Sequence, residues 1–209
     1  GLFEDPYGKT FKNRKRHSPE SVKLAKTIAD ESTVLLKNEN QLLPLDAKSL
    51  KSIAIIGPNA DQVQFGDYTW SRNNKDGVTP LQGIKNRVNK NTAIHYAKGC
   101  SLTSLDTSGI AEAVEAAKNS EVAVIFGGSA SAALARDYKS STCGEGFDLN
   151  DLNLTGAQSQ LIREVYRTGT PVILVLVTGK PFAIEWEKNN LPAILVQWYA
   201  GEQAGNSIA

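Results

Sequence analysis

Residues 141–156 read STCGEGFDLNDLNLTG and bring three carboxylates, Glu145, Asp148 and Asp151, into a short run rich in glycine and asparagine, just ahead of a helix-like segment. Carboxyl groups in pairs can exchange a proton with a leaving oxygen, one group held as the acid and the other ionised. Glu145 stands between Gly144 and Gly146. Glycines on both sides let the backbone bend sharply and carry a carboxylate to a substrate with no neighbouring side chain in the way. Asp148 supplies a nearby like charge, which is one way to keep an acid protonated near neutral pH. By composition the same run also reads as a solvated acidic loop, and the residues by themselves leave both readings open.

Other chemistries lack their residues. Gly57-Pro-Asn-Ala and Phe126-Gly-Gly-Ser-Ala-Ser each follow an apolar run, but neither matches G-x-G-x-x-G or G-x-x-x-x-G-K-[ST], so a nucleotide would find no phosphate loop. Gly127-Gly128-Ser129-Ala130-Ser131 fails the nucleophile elbow G-x-S-x-G at its last position. His17 and His95 are the two histidines, one in an N-terminal linker and one inside a predicted strand, which makes a Ser-His triad hard to build. Cys100 and Cys143 join those histidines in scattered positions without CxxC or HxxxH spacing, so neither a metal site of the usual kind nor a cofactor is expected. Whether the two cysteines pair is left open. A formal net charge of +1 gives no general pull toward nucleic acid or an anionic membrane, and the basic run from Lys9 to Arg16 reads as solvated linker. No apolar run approaches the roughly 18 to 20 residues of a membrane span.

The elements that must position Glu145 follow from the apolar pattern. With 209 residues, 41% of them hydrophobic, the chain has enough apolar side chains for the core of one α/β domain. Residues 1–17 read as interdomain linker and 18–209 as the domain. Ser18-Pro19-Glu20 is a helix start with a hydroxyl N-cap, proline at the first position and an acid near the positive end of the dipole; helical spacing of Val22, Ala25, Ala29 and Leu36 predicts a helix to about Lys37. Strands are predicted at 53–56, 93–97, 122–126, 172–177 and 193–198, and helices at about 79–88, 108–118, 156–168 and 182–188, with a further helix under way where the residues end. Trp186 and Trp198 fall in these elements and are expected in the core. Alternating strands and helices, with the strands unbroken by polar residues, predict a mainly parallel sheet with helices on both faces, an α/β sandwich. Two long loops, 57–78 and 127–153, leave carboxyl ends of such strands, the edge where open α/β sheets bind ligands.

Seven segments then stand in one order: GLFEDPY at 1–7, ESTVLLKNENQLLPL at 31–45, IAIIGPNAD at 53–61, FGDYTW at 65–70, GEGFDLNDLNLTGAQSQLI at 144–162, PVILVLVTGKPFAI at 171–184 and WYAGEQAGN at 198–206. In that order they resemble the second, α/β-sandwich domain of glycoside hydrolase family 3, the exo-acting β-glucosidases and β-xylosidases. The resemblance covers essentially the whole chain. It implies a retaining mechanism, with an aspartate nucleophile on a preceding (β/α)8 barrel and, in many members, a glutamate acid/base in a segment of the form E-G-x-D-R. Glu145-Gly146-Phe147-Asp148-Leu149 occupies that segment, so Glu145 takes the acid/base role by resemblance and Asp148 a supporting one. Leu149 replaces the common arginine, and Gly201-Glu-Gln-Ala-Gly205 departs from the usual GEEGG-like turn.

In some relatives an aromatic residue of the first long loop stacks on the sugar beyond the cleaved bond, and Tyr68 or Trp70 stands at that place. An aromatic face suits an apolar sugar face, although Trp70 also reads as a partly buried loop anchor. The partners implied are a β-linked oligosaccharide or glycoside and the barrel of the same parent chain, with Leu2 to Tyr7 as the junction and the sandwich cut short at its C-terminal end. On this reading the 209 residues alone are inert, because retaining hydrolysis needs two carboxyl groups about 5 to 5.5 Å apart and only one is here. The rival reading is a non-catalytic carbohydrate-binding or interaction module in which Glu145 is a loop carboxylate. Glucose versus xylose, the aglycone, the oligomeric state and the compartment stay open, export being common among polysaccharide-degrading relatives.

Overall fold

Ser18 opens the first helix as its residue type predicts: its extended backbone and its Oγ, which accepts the Ser21 N–H at 3.2 Å, cap α1 (Pro19–Ser32), with proline at the first helical turn. The computed structural model describes residues 3, 4, 6, 7, 17–71, 73–131, 142–146 and 148–209. Most of the stretch read as linker, the basic run included, lies outside the described residues, as does part of the second long loop.

The helix does not run to Lys37. It ends at Ser32, Thr33 turns extended, and Val34–Asn38 forms β1, paired antiparallel to β6 (Ala193–Val196), with Val34 opposite Val196 and Asn38 opposite Ala193. The β-branched pair Thr33-Val34 loses side-chain freedom in a helix and suits a pleated ladder, and β6 offers an open row of backbone partners. Leu36, which continues the helical spacing, is therefore a half-exposed strand residue.

The other strands match their apolar runs. They are β2 (Ser52–Ile56), β3 (Ala93–Ala97), β4 (Val122–Gly128) and β5 (Val172–Val177), and with β1 and β6 they form a six-stranded sheet in the order β1-β6-β5-β4-β2-β3. Every pairing except β1 with β6 is parallel. The helices between them are α2 (Pro80–Arg87), α3 (Ile110–Lys118), α4 (Gln158–Tyr166) and α5 (Glu185–Asn190), and α6 (Ala204–Ile208) follows β6. Among the described residues no helix is long and apolar enough to cross a membrane.

Continuous apolar strands arise because each face of the sheet has its own core. Ala54, Ile56, Ala123, Ile125, Val172, Leu174 and Leu176 pack with Ala113 and Ala117 of α3 and Leu161, Ile162 and Val165 of α4. The alternate residues Ile53, Ile55, Val122, Val124, Phe126, Ile173, Val175 and Val177 pack on the other side with Leu81 and Ile84 of α2. Burying each Val, Leu, Ile or Phe of these two sets contributes roughly 1.5 to 3 kcal/mol, so the central strands are the most firmly packed part of the sheet.

That sheet order contains a switch point. From β2 the chain passes to β3 on one side, then returns to place β4 on the other, and continues outward through β5 to β6. The crevice at the carboxyl ends of β2 and β4 is where open α/β sheets take ligands. Both long loops leave from these two strands.

Candidate functional site

Each of the two loops leaves the sheet at a glycine that no other residue could replace without movement. Gly57, after β2, has φ +113°, and a Cβ there would lie 2.3 Å from the Phe126 carbonyl oxygen of β4. Gly128, at the end of β4, has φ +121°, and a Cβ would lie 2.2 Å from the Val177 carbonyl oxygen of β5. Buried amides then fasten the loops to the strand ends. Asn59 donates its backbone N–H to Phe126 O at 3.1 Å and its side-chain amide to Ser129 O at 3.2 Å, while Gln64 Nε2 donates to Asn59 Oδ1 at 2.8 Å. Gln158, at the start of α4, accepts the Gly128 N–H at 2.8 Å and donates to Gly128 O at 3.0 Å.

From Gly128 the second loop is stitched across its base. Ser129 donates its N–H to Val177 O at 2.9 Å, and its hydroxyl meets Thr178 Oγ1 at 3.0 Å and the Tyr199 hydroxyl at 2.7 Å. Burial holds that phenol well above its ordinary pKa, so it serves as a neutral hydrogen-bonding post. Ala130 N–H donates to Thr142 Oγ1 at 3.0 Å, Thr142 N–H donates to Ala130 O at 3.3 Å, and Ser131 bridges Cys143 in parallel. The outgoing leg, 129–131, and the later leg, 142–143, thus run side by side in the same direction and lead to Gly144-Glu145-Gly146.

Both glycines around Glu145 have the backbone that their type permits, Gly144 with φ +118° and Gly146 with φ +76°. Glu145 is exposed. Its N–H donates to Asp67 Oδ2 at 2.9 Å, and Asp67 Oδ1 accepts the Ser131 hydroxyl. Asp67 belongs to the first loop, so this carboxylate joins the two loops over the β2/β4 crevice.

Asp148 is exposed just beyond residue 147. Asp151, the third acid of the run, accepts the Asn153 N–H at 2.7 Å in a local turn. Tyr68, one residue from the Asp67 tie, is 83% exposed with φ +57°. Trp70 is 69% exposed, and its ring lies 5.8 Å from that of His17, whose Nε2 is 2.8 Å from Glu202 Oε2. Trp70, Phe65, Tyr199 and Glu202 border an open cavity of about 950 Å³ against the Ile28 side of α1.

The two core tryptophans divide. Trp186 packs partly buried against the α3/α4 core, edge-on to Tyr166 at 5.3 Å. Trp198 is corrected: it lies past the end of β6 with φ +57° and is 43% exposed, because the left-handed turn there throws the side chain outward. Cys100 and Cys143 are free thiols, and burial pushes Cys100 up to about 11. Among the described residues no cluster of His, Cys, Asp and Glu could hold a metal ion.

Asp67, Ser131 and Tyr199 were not singled out by sequence reasoning. Gly66-Asp67 inside FGDYTW is a weak local signal, and Ser131 and Glu145, which Asp67 meets, lie 64 and 78 residues away. What the residues assemble is an exposed carboxylate whose own amide is tied to the loop that carries the exposed Tyr68. Such a group can donate a proton to an oxygen of a ligand lying over the crevice.

The glycosyl hydrolase family 3 C-terminal domain matches residues 33–209. A β-xylosidase of Formosa agariphila is 40% identical over 87% of this chain and 25% of its own length. A periplasmic β-glucosidase of Salmonella typhimurium is 35% identical over 100% of this chain and 30% of its own length. Among solved structures, a β-glucosidase from Listeria innocua in complex with glucose superposes with a TM-score of 0.81 at 28% identity, over 99% of this chain and 26% of that one. The chain belongs to glycoside hydrolase family 3, as the C-terminal α/β domain of its β-glucosidase and β-xylosidase members. It spans about a quarter to a third of the length of these relatives.

Proposed function

We propose that this chain is the acid/base half of the active site of a retaining, exo-acting β-glycosidase, a β-glucosidase or β-xylosidase that removes terminal sugars from β-linked substrates. The observation that carries the reading is the placement of Glu145: exposed, held by its own amide, and set between two glycines of left-handed backbone over the β2/β4 crevice. In the first step the Glu145 carboxylic acid protonates the glycosidic oxygen as the bond to the anomeric carbon breaks. In the second the resulting carboxylate takes a proton from water, whose oxygen attacks the same carbon and displaces the nucleophile carboxylate that bonded to it in the first step. The nucleophile is a carboxylate on a barrel domain elsewhere in the parent chain, so the 209 residues alone hydrolyse nothing. Asp148 supports Glu145 from the same loop. The test is the first-formed sugar released by the full-length parent enzyme, followed by proton NMR. The β-anomer is expected; the α-anomer first would mean an inverting enzyme and contradicts the reading, and no hydrolysis of aryl β-glucosides and β-xylosides contradicts it in favour of a non-catalytic carbohydrate-binding module.

Tyr68 and Trp70 form the aglycone side of the site in this reading, presenting flat, rigid surface to the sugar beyond the scissile bond. Stacking of this kind contributes about 0.5 to 1.5 kcal/mol. Tyr68→Ala and Trp70→Ala in the parent enzyme should therefore each lower kcat/KM on a β-linked disaccharide by roughly 2- to 10-fold. Hydrolysis of the corresponding glycosyl fluoride, which has no aglycone sugar, should be unchanged. Equal losses on both substrates would place the two rings outside the aglycone subsite.

A further inference from the structure

Glu145 sits at a permissive point of its loop. Glycine on each side gives the backbone wide freedom, yet a proton donor must be held within a few tenths of an ångström of its acceptor to be effective. The hydrogen bond at Glu145's own peptide comes from neither leg of its loop. Asp67 Oδ2, in the other loop, accepts the Glu145 N–H at 2.9 Å. The second oxygen of the same carboxylate accepts the hydroxyl of Ser131, which is 1% exposed on the outgoing leg beside Cys143. One carboxylate therefore ties the outgoing leg to the peptide of Glu145, with one oxygen on each. Bonds from N–H or O–H to a charged carboxylate are about twice as strong as neutral ones, which suits a clamp.

We propose that Asp67 is a positioning residue that sets the reach of Glu145 by clamping its backbone amide to Ser131. The proposal rests on the reading of Glu145 as the acid/base. Asp67 itself transfers no proton to substrate; it fixes where the Glu145 side chain starts. The same tie couples the aromatic loop to the acid loop, since Tyr68 is the next residue. An aglycone that settles on Tyr68 thereby settles against the loop whose glutamate must protonate it.

The test uses the full-length parent enzyme with Asp67→Ala, Asp67→Asn, Ser131→Ala, Glu145→Gln and the Asp67→Ala/Glu145→Gln double variant. Each is assayed on an alkyl β-glycoside, whose leaving group needs a proton, and on the 2,4-dinitrophenyl β-glycoside, whose leaving group does not. Misplacing a catalytic group by about 1 Å costs on the order of 100-fold. Asp67→Ala should lose about 10- to 100-fold in kcat/KM on the alkyl glycoside and stay within about 3-fold on the activated one.

Asparagine keeps an acceptor for the Glu145 amide, and its NH₂ can donate to the Ser131 oxygen, so Asp67→Asn should recover most of the loss. Ser131→Ala, which removes one anchor only, should show a smaller split of the same sign. In the double variant, Asp67→Ala should add little to Glu145→Gln, because the two act as a unit. A purely structural Asp67 would lower both substrates alike and multiply with Glu145→Gln; either outcome overturns the proposal. If Glu145→Gln shows the split and Asp67→Ala and Ser131→Ala do not, the clamp fails while the acid/base reading stands. If Glu145→Gln itself shows no split, both fail.

Discussion

Glu145→Gln in the full-length parent enzyme is expected to lower kcat/KM on alkyl β-glycosides and disaccharides by about 10²- to 10⁴-fold, the usual contribution of a positioned general acid. An amide of the same size keeps the side chain in place but has no proton to give. The loss should shrink as the leaving group becomes a better anion, and on a dinitrophenyl glycoside kcat/KM should stay within a few-fold of the parent, since the aglycone leaves unassisted. On that substrate kcat should still fall, because water attacking the glycosyl enzyme loses its general base. The divergence between kcat and kcat/KM separates a lost acid/base from a damaged fold, which would lower both on every substrate.

The second large effect comes from backbone rather than chemistry. Gly128→Ala places a Cβ 2.2 Å from the Val177 carbonyl oxygen, at φ +121°. Backbone oxygen cannot rotate aside, and a normal contact requires more than an ångström of separation to be found between β4 and β5. Left-handed strain together with overpacking of this kind costs roughly 2 to 4 kcal/mol, a large share of the roughly 5 to 15 kcal/mol that stabilises a folded domain. Because Gly128 is the residue from which the Glu145 loop departs, and Gln158 bonds both its N–H and its carbonyl, the shift is transmitted toward Glu145. The variant should melt several degrees lower by calorimetry and lose about 100-fold in kcat/KM. Gly146→Ala makes the control, since an added Cβ there meets nothing within 4 Å; its cost is conformational strain of about 1 kcal/mol.

Much of the architecture was legible because the strands are buried on both faces. A run such as Val172–Val177 has few ways to avoid being a strand when alternate residues must serve two cores. Strand β1 was not legible. Its residues fit helical spacing about as well as a strand, and what decides is the open edge of β6, a tertiary partner more than 150 residues on. Trp198 misled for a related reason: its apolar side chain argues for the core, but β6 ends at Val196 and a positive φ turns the ring outward.

The candidate site was legible in one half. Glu145 between glycines is a local pattern, and both glycines adopt the backbone which that pattern implies. The Asp67 tie and the switch point between β2 and β4 are products of strand order, which no local pattern encodes. The two long loops could be seen to leave strand ends, but not that those strands are neighbours.

The acid/base role of Glu145 is tested most directly by chemical rescue. Glu145→Gly in the full-length parent removes the carboxylate and opens space for a small anion beside the anomeric carbon. With a dinitrophenyl β-glycoside and added sodium azide, turnover should be restored several-fold or more, because azide needs no general base to attack the glycosyl enzyme. The product, read by NMR, should be the β-glycosyl azide, since attack occurs on the face that Glu145 serves. No acceleration by azide, or an α-glycosyl azide, would contradict the assignment of Glu145 as the acid/base of a retaining β-glycosidase.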